Sequence, residues 1–491
     1  MEKTIYGENT AHPAIASSFN NLGLAWIKLG DHKKAIGYHK QSLSMRKTIY
    51  GHNTPHPDIA GSLNSLGLSW GRLGDQKNAI SYIEQSLTMM KTIHGDNAAH
   101  PEIASSLQNL GSVWSKRGNH EKAISYYEQA LTMMKTVYGG NTEHPDIATT
   151  LNSLGSSWME LGDQKNAISY HEQSITMWKT IYGDNTAHPD IASLLQNLGL
   201  SLNQLGDHKK AISYHEQSLT MWKTINGANT VHPGTAKSLV IMGLTWSSLG
   251  DHKKAISYLE QSLSMMKIIH GDKAGHPVIT ALFYNLGSSW SKLDDHQKAI
   301  SYFEQSLMME KTIYGENAEH PDIAASLASL GLSWSKLGDQ KKAISYYEQA
   351  LTMLKTIYGD NTAHPAVAVS LSGLGSSWML QGDQRKAINC HEQSLTMKKI
   401  IYGDDTAHPD IASSLNSLGL SWAILGDHKK AVSYFQQSLT IKKTLYGENT
   451  AHSHIFGTLH NLYVACTNIG DHTTAMEYKK QIQSMQRALD G

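Results

Sequence analysis

Histidine is the residue type here with the widest capacity for chemistry, and the chain of 491 residues holds 27 of them. An imidazole can ligate a metal, carry a proton or change charge near neutral pH. One set stands at His12, His56, His100, His144, His188, His232, His276, His320, His364, His408 and His452, and all but the last precede a proline. A second set, His32, His208, His252, His296, His428 and His472, follows an aspartate each time. Zinc needs its ligand atoms about 2 Å from one ion, whereas packed helices lie about 8–10 Å apart. Equivalent histidines of successive repeats therefore cannot share an ion without distortion, and no metal site is expected. The first set suits the cap of a helix, the second a solvent-facing first turn. With this many histidines, net charge is expected to climb steeply below about pH 6.5.

Other chemistry has little support. The sequence has no glycine-rich loop ending in Gly-Lys-Ser/Thr and no His-Glu-x-x-His. Cys390 and His391 are neighbours, which places them on different azimuths of a helix. Cys390 reads as a replaced core tyrosine, and Cys466 as a replaced tryptophan. Two distant cysteines fit a reducing, cytoplasmic setting. Lysine pairs such as Lys33-Lys34, Lys209-Lys210 and Lys253-Lys254 read as a solvated face. Glu84, Glu128, Glu172 and Glu216 interleave with them, so no single-sign stripe for nucleic acid forms. Lys+Arg and Asp+Glu are both 42. No apolar run is long enough to insert in a membrane. The expectation is a protein that is not an enzyme and takes no cofactor.

Tyr6, Tyr50, His94, Tyr138, Tyr182, Asn226, His270, Tyr314, Tyr358, Tyr402 and Tyr446 mark a strict period of 44 residues. Eleven units fill the chain. Each reads as two helices. In the second, Pro57 occupies the first helical position, where its missing N–H is harmless. Ile59, Leu63, Leu66 and Trp70 follow on one face. Leu73-Gly74 ends this helix A, and Asp75 caps helix B. Ala79, Tyr82, Ser86, Leu87, Met90 and Ile93 form the next face, and Gly95 stops it. Helix A is expected to start near Pro13, Pro57, Pro101, Pro145, Pro189, Pro233, Pro277, Pro321, Pro365, Pro409 and Ser453. The tryptophans 26, 70, 114, 158, 246, 290, 334, 378 and 422 fall on the apolar stripe and read as core. Gly67 and its counterparts Gly23, Gly111, Gly155, Gly199, Gly243, Gly287, Gly331, Gly375 and Gly419 lie inside helix A, where glycine costs about 1 kcal/mol against alanine. Close approach of helix B, at the small Ala79 or its equivalent, would compensate.

Phe19, Leu22-Gly23, Trp26 and Ala35, and again Leu63, Leu66-Gly67, Trp70 and Ala79, resemble the tetratricopeptide signature. The resemblance covers essentially the whole chain. His-Pro-Asp-Ile-Ala and the long second helix ending in glycine are similar to the kinesin light chain and nephrocystin branch. It implies an all-α fold, a right-handed α-solenoid superhelix over 1–491, and a scaffold that binds proteins or peptides. The inter-unit loop is about two residues longer than in the kinesin light chain type, as Gly51 to Pro57 shows. No heptad coiled coil precedes the repeats, so the implication is a mode of binding and not a motor role. Met1 to Gly7 is identical to Met309 to Gly315, so residues 1–11 read as the remnant of a preceding unit and the chain as a fragment. The alternative function is the ligand-sensing arm of a larger NTPase-type signalling protein. Residues 453–491 read as a capping unit, with Ser453, Tyr463 and Cys466 replacing Pro, Gly and Trp, and Lys479, Lys480, Gln481, Gln483 and Gln486 on the last helix.

The resemblance also turns three helix A positions inward. The first runs Asn20, Asn64, Gln108, Asn152, Gln196, Val240, Tyr284, Ala328, Ser372, Asn416 and His460. Its leading amides offer both donor and acceptor to an extended peptide. In kinesin light chains similar asparagines line the cargo groove, and the resemblance gives that role to Asn20, Asn64 and Asn152. The last position runs Lys28, Arg72, Lys116, Glu160, Gln204, Ser248, Lys292, Lys336, Leu380, Ile424 and Asn468. The expectation is an acidic extended segment in units one to three and apolar side chains, near Met379, Leu380 and Ile424, in units nine and ten.

Overall fold

A computed structural model describes residues 10–96, 98–140, 142–271, 275–360, 362–404, 406–447 and 452–490, the side chains of 488–490 excepted. Met1 to Gly7 lies outside the described residues. Among those described there are 22 α-helices and no strand. Helices A are Pro13–Lys28, Pro57–Leu73, Pro101–Lys116, Pro145–Glu160, Pro189–Gln204, Pro233–Ser248, Pro277–Lys292, Pro321–Lys336, Pro365–Gln381, Pro409–Leu425 and Ser453–Asn468. Helices B are His32–Tyr50, Gln76–His94, His120–Tyr138, Gln164–Tyr182, His208–Asn226, His252–His270, His296–Tyr314, Gln340–Tyr358, Gln384–Tyr402, His428–Tyr446 and His472–Asp490. None of these helices is long and apolar enough to cross a membrane. The chain forms two compact bodies, Met1–Leu249 and Gly250–Gly491.

The loop histidines start helix A. His56 Nδ1 accepts the Asp58 backbone N–H at 3.2 Å, and His144 does the same for Asp146. This places a ring nitrogen where a Ser or Asp oxygen normally satisfies an orphan donor. From His56 onward the ring also stacks on an aromatic residue at the end of the preceding helix B, which before His232 is Trp222 in place of the last residue. Tyr50 and His56 lie 3.5 Å apart at 9°, and Tyr314 and His320 lie 3.6 Å apart at 12°. The Tyr50 hydroxyl reaches on to donate to Asp58, and Tyr314 to Asp322, both at 2.9 Å. One ring thus fixes both the helix start and the joint between units.

Helix B begins at an aspartate whose carboxylate accepts the backbone N–H three residues on, as Asp31 does from Lys34 at 3.0 Å. The second lysine of the pair is not simply solvated. Lys34 Nζ lies 3.1 Å from Asp31 and 4.2 Å from the centre of the Trp26 ring. Lys298 and Lys342 repeat the arrangement over Trp290 and Trp334 at 3.8 and 3.7 Å. Exposed ion pairs of this kind contribute little; a cation over an indole adds about 0.5–1 kcal/mol. The first-turn histidines also differ from expectation. His32, His208, His252 and His428 are half-buried, His296 is buried, and His472 is exposed. The His208 ring folds back over the end of helix A, where its Nδ1 meets Asn203 Oδ1 at 2.6 Å.

The core of each body runs between helix B of one unit and the helices A on either side. Ile103, Leu107, Tyr127, Leu131, Met134, Ile147, Leu151 and Leu154 form one such cluster. In unit 1 the counterpart of Leu66, Leu22, is 44% exposed, because no described helix lies before helix A there. A buried serine straps the two helices of a unit together: Ser42 donates to Ala16 O, Ser174 to Ala148 O and Ser394 to Ala368 O at 2.7–2.8 Å. On the last helix Lys479, Lys480, Gln481, Gln483 and Gln486 are exposed, while Ile482 is buried.

The helix A glycines do permit close approach, but the group they accommodate is mainly a larger side chain four residues after the alanine. A Cβ built at Gly111 would lie 2.6 Å from the Tyr127 ring, and one at Gly155 would lie 2.7 Å from His171. The position is filled by His39, Ile83, Tyr127, His171, His215, Leu259, Phe303, Tyr347, His391 and Phe435. His39, His171, His215 and His391 are at most 1% exposed, and burial lowers each pKa to about 4. These four do not join the charge rise expected below pH 6.5.

Two outcomes are expected. Gly111→Ala should gain about 1 kcal/mol in helix propensity but lose about 1–3 kcal/mol to overpacking on Tyr127, so denaturation of the variant should show a net loss. The four buried histidines bind protons in the unfolded chain from about pH 6.5 downward and in the folded chain only near pH 4. Stability is therefore full above that window and falls as pH drops through it. His171→Phe, a side chain units 7 and 10 already carry, should make the fall shallower by at most about 1.4 kcal/mol per pH unit, read from denaturation midpoints between neutral pH and pH 4.5.

Candidate functional site

The inward column of helix A is half-buried and largely cross-braced. Asn20 Oδ1 lies 3.2 Å from His39 Nδ1. A carbonyl oxygen can only accept, so the neutral His39 donates from Nδ1. Asn64 Oδ1 accepts from Asn109 Nδ2 at 3.1 Å, and Asn152 Oδ1 accepts from Asn197 Nδ2 at 3.3 Å. Asn416 and Asn461 repeat the pair in the C-terminal body. The Asn64, Asn152 and Asn416 oxygens thus tie one unit to the next, the Asn20 oxygen ties helix A to helix B of its own unit, and the ladder presents mainly donors. Gln108 is half-buried and has no hydrogen bond among the described residues. Gln196 departs from the expected lining. It is 2% exposed, and its Nε2 donates to Ser238 Oγ on the next helix A at 2.5 Å. An amide enclosed and engaged in this way does not meet a guest.

Lys28, Arg72, Lys116, Lys292 and Lys336 are all exposed, and none has an ion-pair partner among the described residues. Burial of the lysine, and secondarily the Arg72 charge, lower the Lys116 pKa, so the two cations stand close enough to interact. In the C-terminal body Lys292 and Lys336 line a cavity of about 290 Å³ with Phe303 and Leu332. Leu380 is 63% and Ile424 59% exposed, whereas Met379 is half-buried and its sulfur accepts from Ser421.

The family model for the tetratricopeptide repeat matches residues 58–136, 102–180, 146–224, 190–268 and 278–356. A second model of the same description matches 15–58, 367–410 and 411–453. The chain is a tetratricopeptide repeat protein. Among solved structures it is similar to the apo form of RapI, with a TM-score of 0.54, 15% identity, 79% of this chain and 99% of that one covered. The apo quorum sensor NprR from B. thuringiensis gives 0.50, 15%, 78% and 99%. A Podospora anserina putative kinesin light chain with nearly identical repeats gives 0.38, 18%, 44% and 99%. No curated protein matches. At 15% identity the RapI and NprR structures speak for the fold of the repeats alone.

Within this tetratricopeptide array the sequence reading passed over a second variable column, on helix B. It runs Arg46, Met90, Met134, Trp178, Trp222, Met266, Glu310, Leu354, Lys398 and Lys442. Aligning the units in their 44-residue register would have shown charges among apolar residues. Arg46 donates to Asp58 O and Ser62 Oγ; Glu310 accepts from Ser306 and Ser326; Lys442 donates to His454 O and Thr458 Oγ1. Cys390 is buried, as is Cys466, and burial raises both thiol pKa values.

One histidine group does come within metal-ligand reach. Atoms of His94, His100 and Glu102 lie within 4.8 Å of one another. The three are not equivalent positions, since His94 replaces the stacking tyrosine. The His94 and His100 rings lie face to face at 3.7 Å, so their in-plane lone pairs run side by side instead of converging. His100 Nδ1 already accepts the Glu102 N–H. This donor set suits the helix joint better than an ion.

The Arg72 contact is testable. Arg72→Met should raise the Lys116 pKa, since it removes one of the two lowering causes, while burial keeps the value below that of a free lysine. Titration of the Lys116 side chain by NMR reads the shift.

Proposed function

We propose that helices A of units 1 to 3 bind an extended, acidic protein segment. The observation that carries this reading is the run Lys28, Arg72 and Lys116, three exposed cations without an ion-pair partner among the described residues. They lie in the same units as the half-buried amides Asn20, Asn64 and Gln108. The oxygens of Asn20 and Asn64 are engaged, so their Nδ2 donors face the partner's backbone carbonyls, and the side-chain acids of the partner meet the cations. Asn152 extends the donor row into unit 4. The repeat framework supports a protein-interaction scaffold, and the charge run supports its polarity. Glu160, which follows Lys116 in the column, bounds the basic stretch. In the C-terminal body the column carries Lys292 and Lys336 and then Leu380 and Ile424, which favours mixed and then apolar side chains. Attraction at exposed charges acts mainly on association and is screened by salt.

The test is fluorescence anisotropy with an array of acidic, neutral and basic peptides on the intact chain. Acidic peptides should bind more weakly as salt rises. A double variant, Arg72→Glu with Lys116→Glu, should weaken them roughly tenfold or more, equivalent to about 1.4 kcal/mol. Indifference to both salt and charge reversal would refute the assignment.

A further inference from the structure

The C-terminal body contains a cavity of about 710 Å³ between the helices A of units 8, 9 and 10. Its size falls in the range of small-ligand sites, about 300–1,000 Å³. The cavity exists because large side chains are missing. In the inward column, where other units carry Asn, Gln, Val, Tyr or His, unit 8 has Ala328 and unit 9 has Ser372. The next residue, Gly373, leaves space that the Tyr347 hydroxyl enters: a Cβ there would lie 2.5 Å from that oxygen. Ala325, Leu332, Val369 and Leu380 give the walls an apolar character, and Lys336 stands among the lining residues.

Lys398 is the exceptional wall residue. It is 6% exposed, and its ammonium donates to Ser372 Oγ at 3.1 Å and Ser414 Oγ at 2.8 Å. Two of its three N–H groups are thereby used. Among the described residues no carboxylate comes within ion-pair distance and no carbonyl accepts the third. The other cations of the same column are better provided. Arg46 has the Asp58 carbonyl and lies 3.9 Å from the Asp58 carboxylate, and Lys442 has the His454 carbonyl. A buried cation without an anion is costly, and a counter-charge delivered by a ligand offsets that cost. Burial holds the Lys398 pKa below the ordinary lysine value, with Asp410 opposing from further away.

We propose that this cavity is a binding site for a small apolar carboxylic acid, with the carboxylate on Lys398, Ser372 and Ser414 and the hydrocarbon part against Ala325, Ala328 and Val369. The one buried ammonium of the wall, Lys398, flanked by hydroxyls, matches one monoanionic head. The predominance of apolar wall disfavours sugar phosphates and other polyanions. The site is separate in sequence and in residues from the acidic-segment reading of units 1 to 3.

Calorimetry on the intact chain with decanoate, decanol and decylammonium provides the test. Decanoate should bind roughly tenfold or more tightly than decanol, as a charge-assisted contact worth about 1.5–3 kcal/mol implies, and decylammonium should not bind. Lys398→Met should erase the preference for decanoate over decanol. This variant is expected to fold, since Met90, Met134 and Met266 fill the same column. Ala328→Trp, which fills the cavity, should abolish binding of both. Equal affinity of the unaltered chain for decanoate and decanol, a preference for decanoate that persists in Lys398→Met, or decanoate binding that survives Ala328→Trp overturns the proposal. Acidic-peptide binding should be untouched by both variants, so a failure of this site and a failure of the groove in units 1 to 3 give different results.

Discussion

The structure depends on how closely helix A can approach helix B within a unit. A mid-helix glycine sacrifices about 1 kcal/mol of helix propensity, and the sequence repeats that sacrifice in ten of its eleven units. The return is a ring or branched side chain of helix B lying directly on the helix A backbone, closer than any Cβ would allow. Once that contact is made, the serine strap from helix B can reach a carbonyl in the first turn of helix A. The leucines beside the glycine then turn toward the preceding helix B and close the core between units, as Leu63 and Leu66 do against Ile36 and Leu43.

The connections are fixed by a different interaction. From His56 onward each loop histidine is both a cap and a stacking partner, so one imidazole sets the start of a helix and its distance from the previous one. The acidic partner varies: Tyr358 and Tyr446 have Ala366 and His454 at that position. Where His94 replaces tyrosine, Glu102 replaces aspartate, and the longer acid stands opposite the shorter ring. The loop histidines, read from the sequence as helix caps, are also a repeated mechanical joint.

A rigid frame of this kind leaves a few columns free to vary without loss of the fold. The column under the helix A glycine accepts His, Ile, Tyr, Leu or Phe, and the column ending in Lys398 and Lys442 accepts apolar residues, cations or an acid. Changes there alter local charge and cavity volume while the period stays at 44 residues. The empty space near Ala328 and Gly373 and the buried ammonium beside it come from such variation, and so does the cluster of cations at Lys28, Arg72 and Lys116.

The sequence alone determined the period, the helix pairs, their starts at His-Pro and their ends at glycine, because these rest on local backbone preferences and on apolar spacing within one helix. It also marked the glycines as contact points. Which group fills each contact was decided by tertiary structure: Gly111 meets Tyr127 and not the small alanine four residues before it, because side chains on a helix lean toward its N-terminus and reach past their own turn. The same holds for exposure. Asn64 and Gln196 occupy equivalent positions in sequence, yet one is half-open and the other enclosed on Ser238, since burial depends on what the neighbouring unit places opposite. The uncompensated charge of Lys398 arises in the same way, from the serines and missing side chains that three successive units bring to one wall.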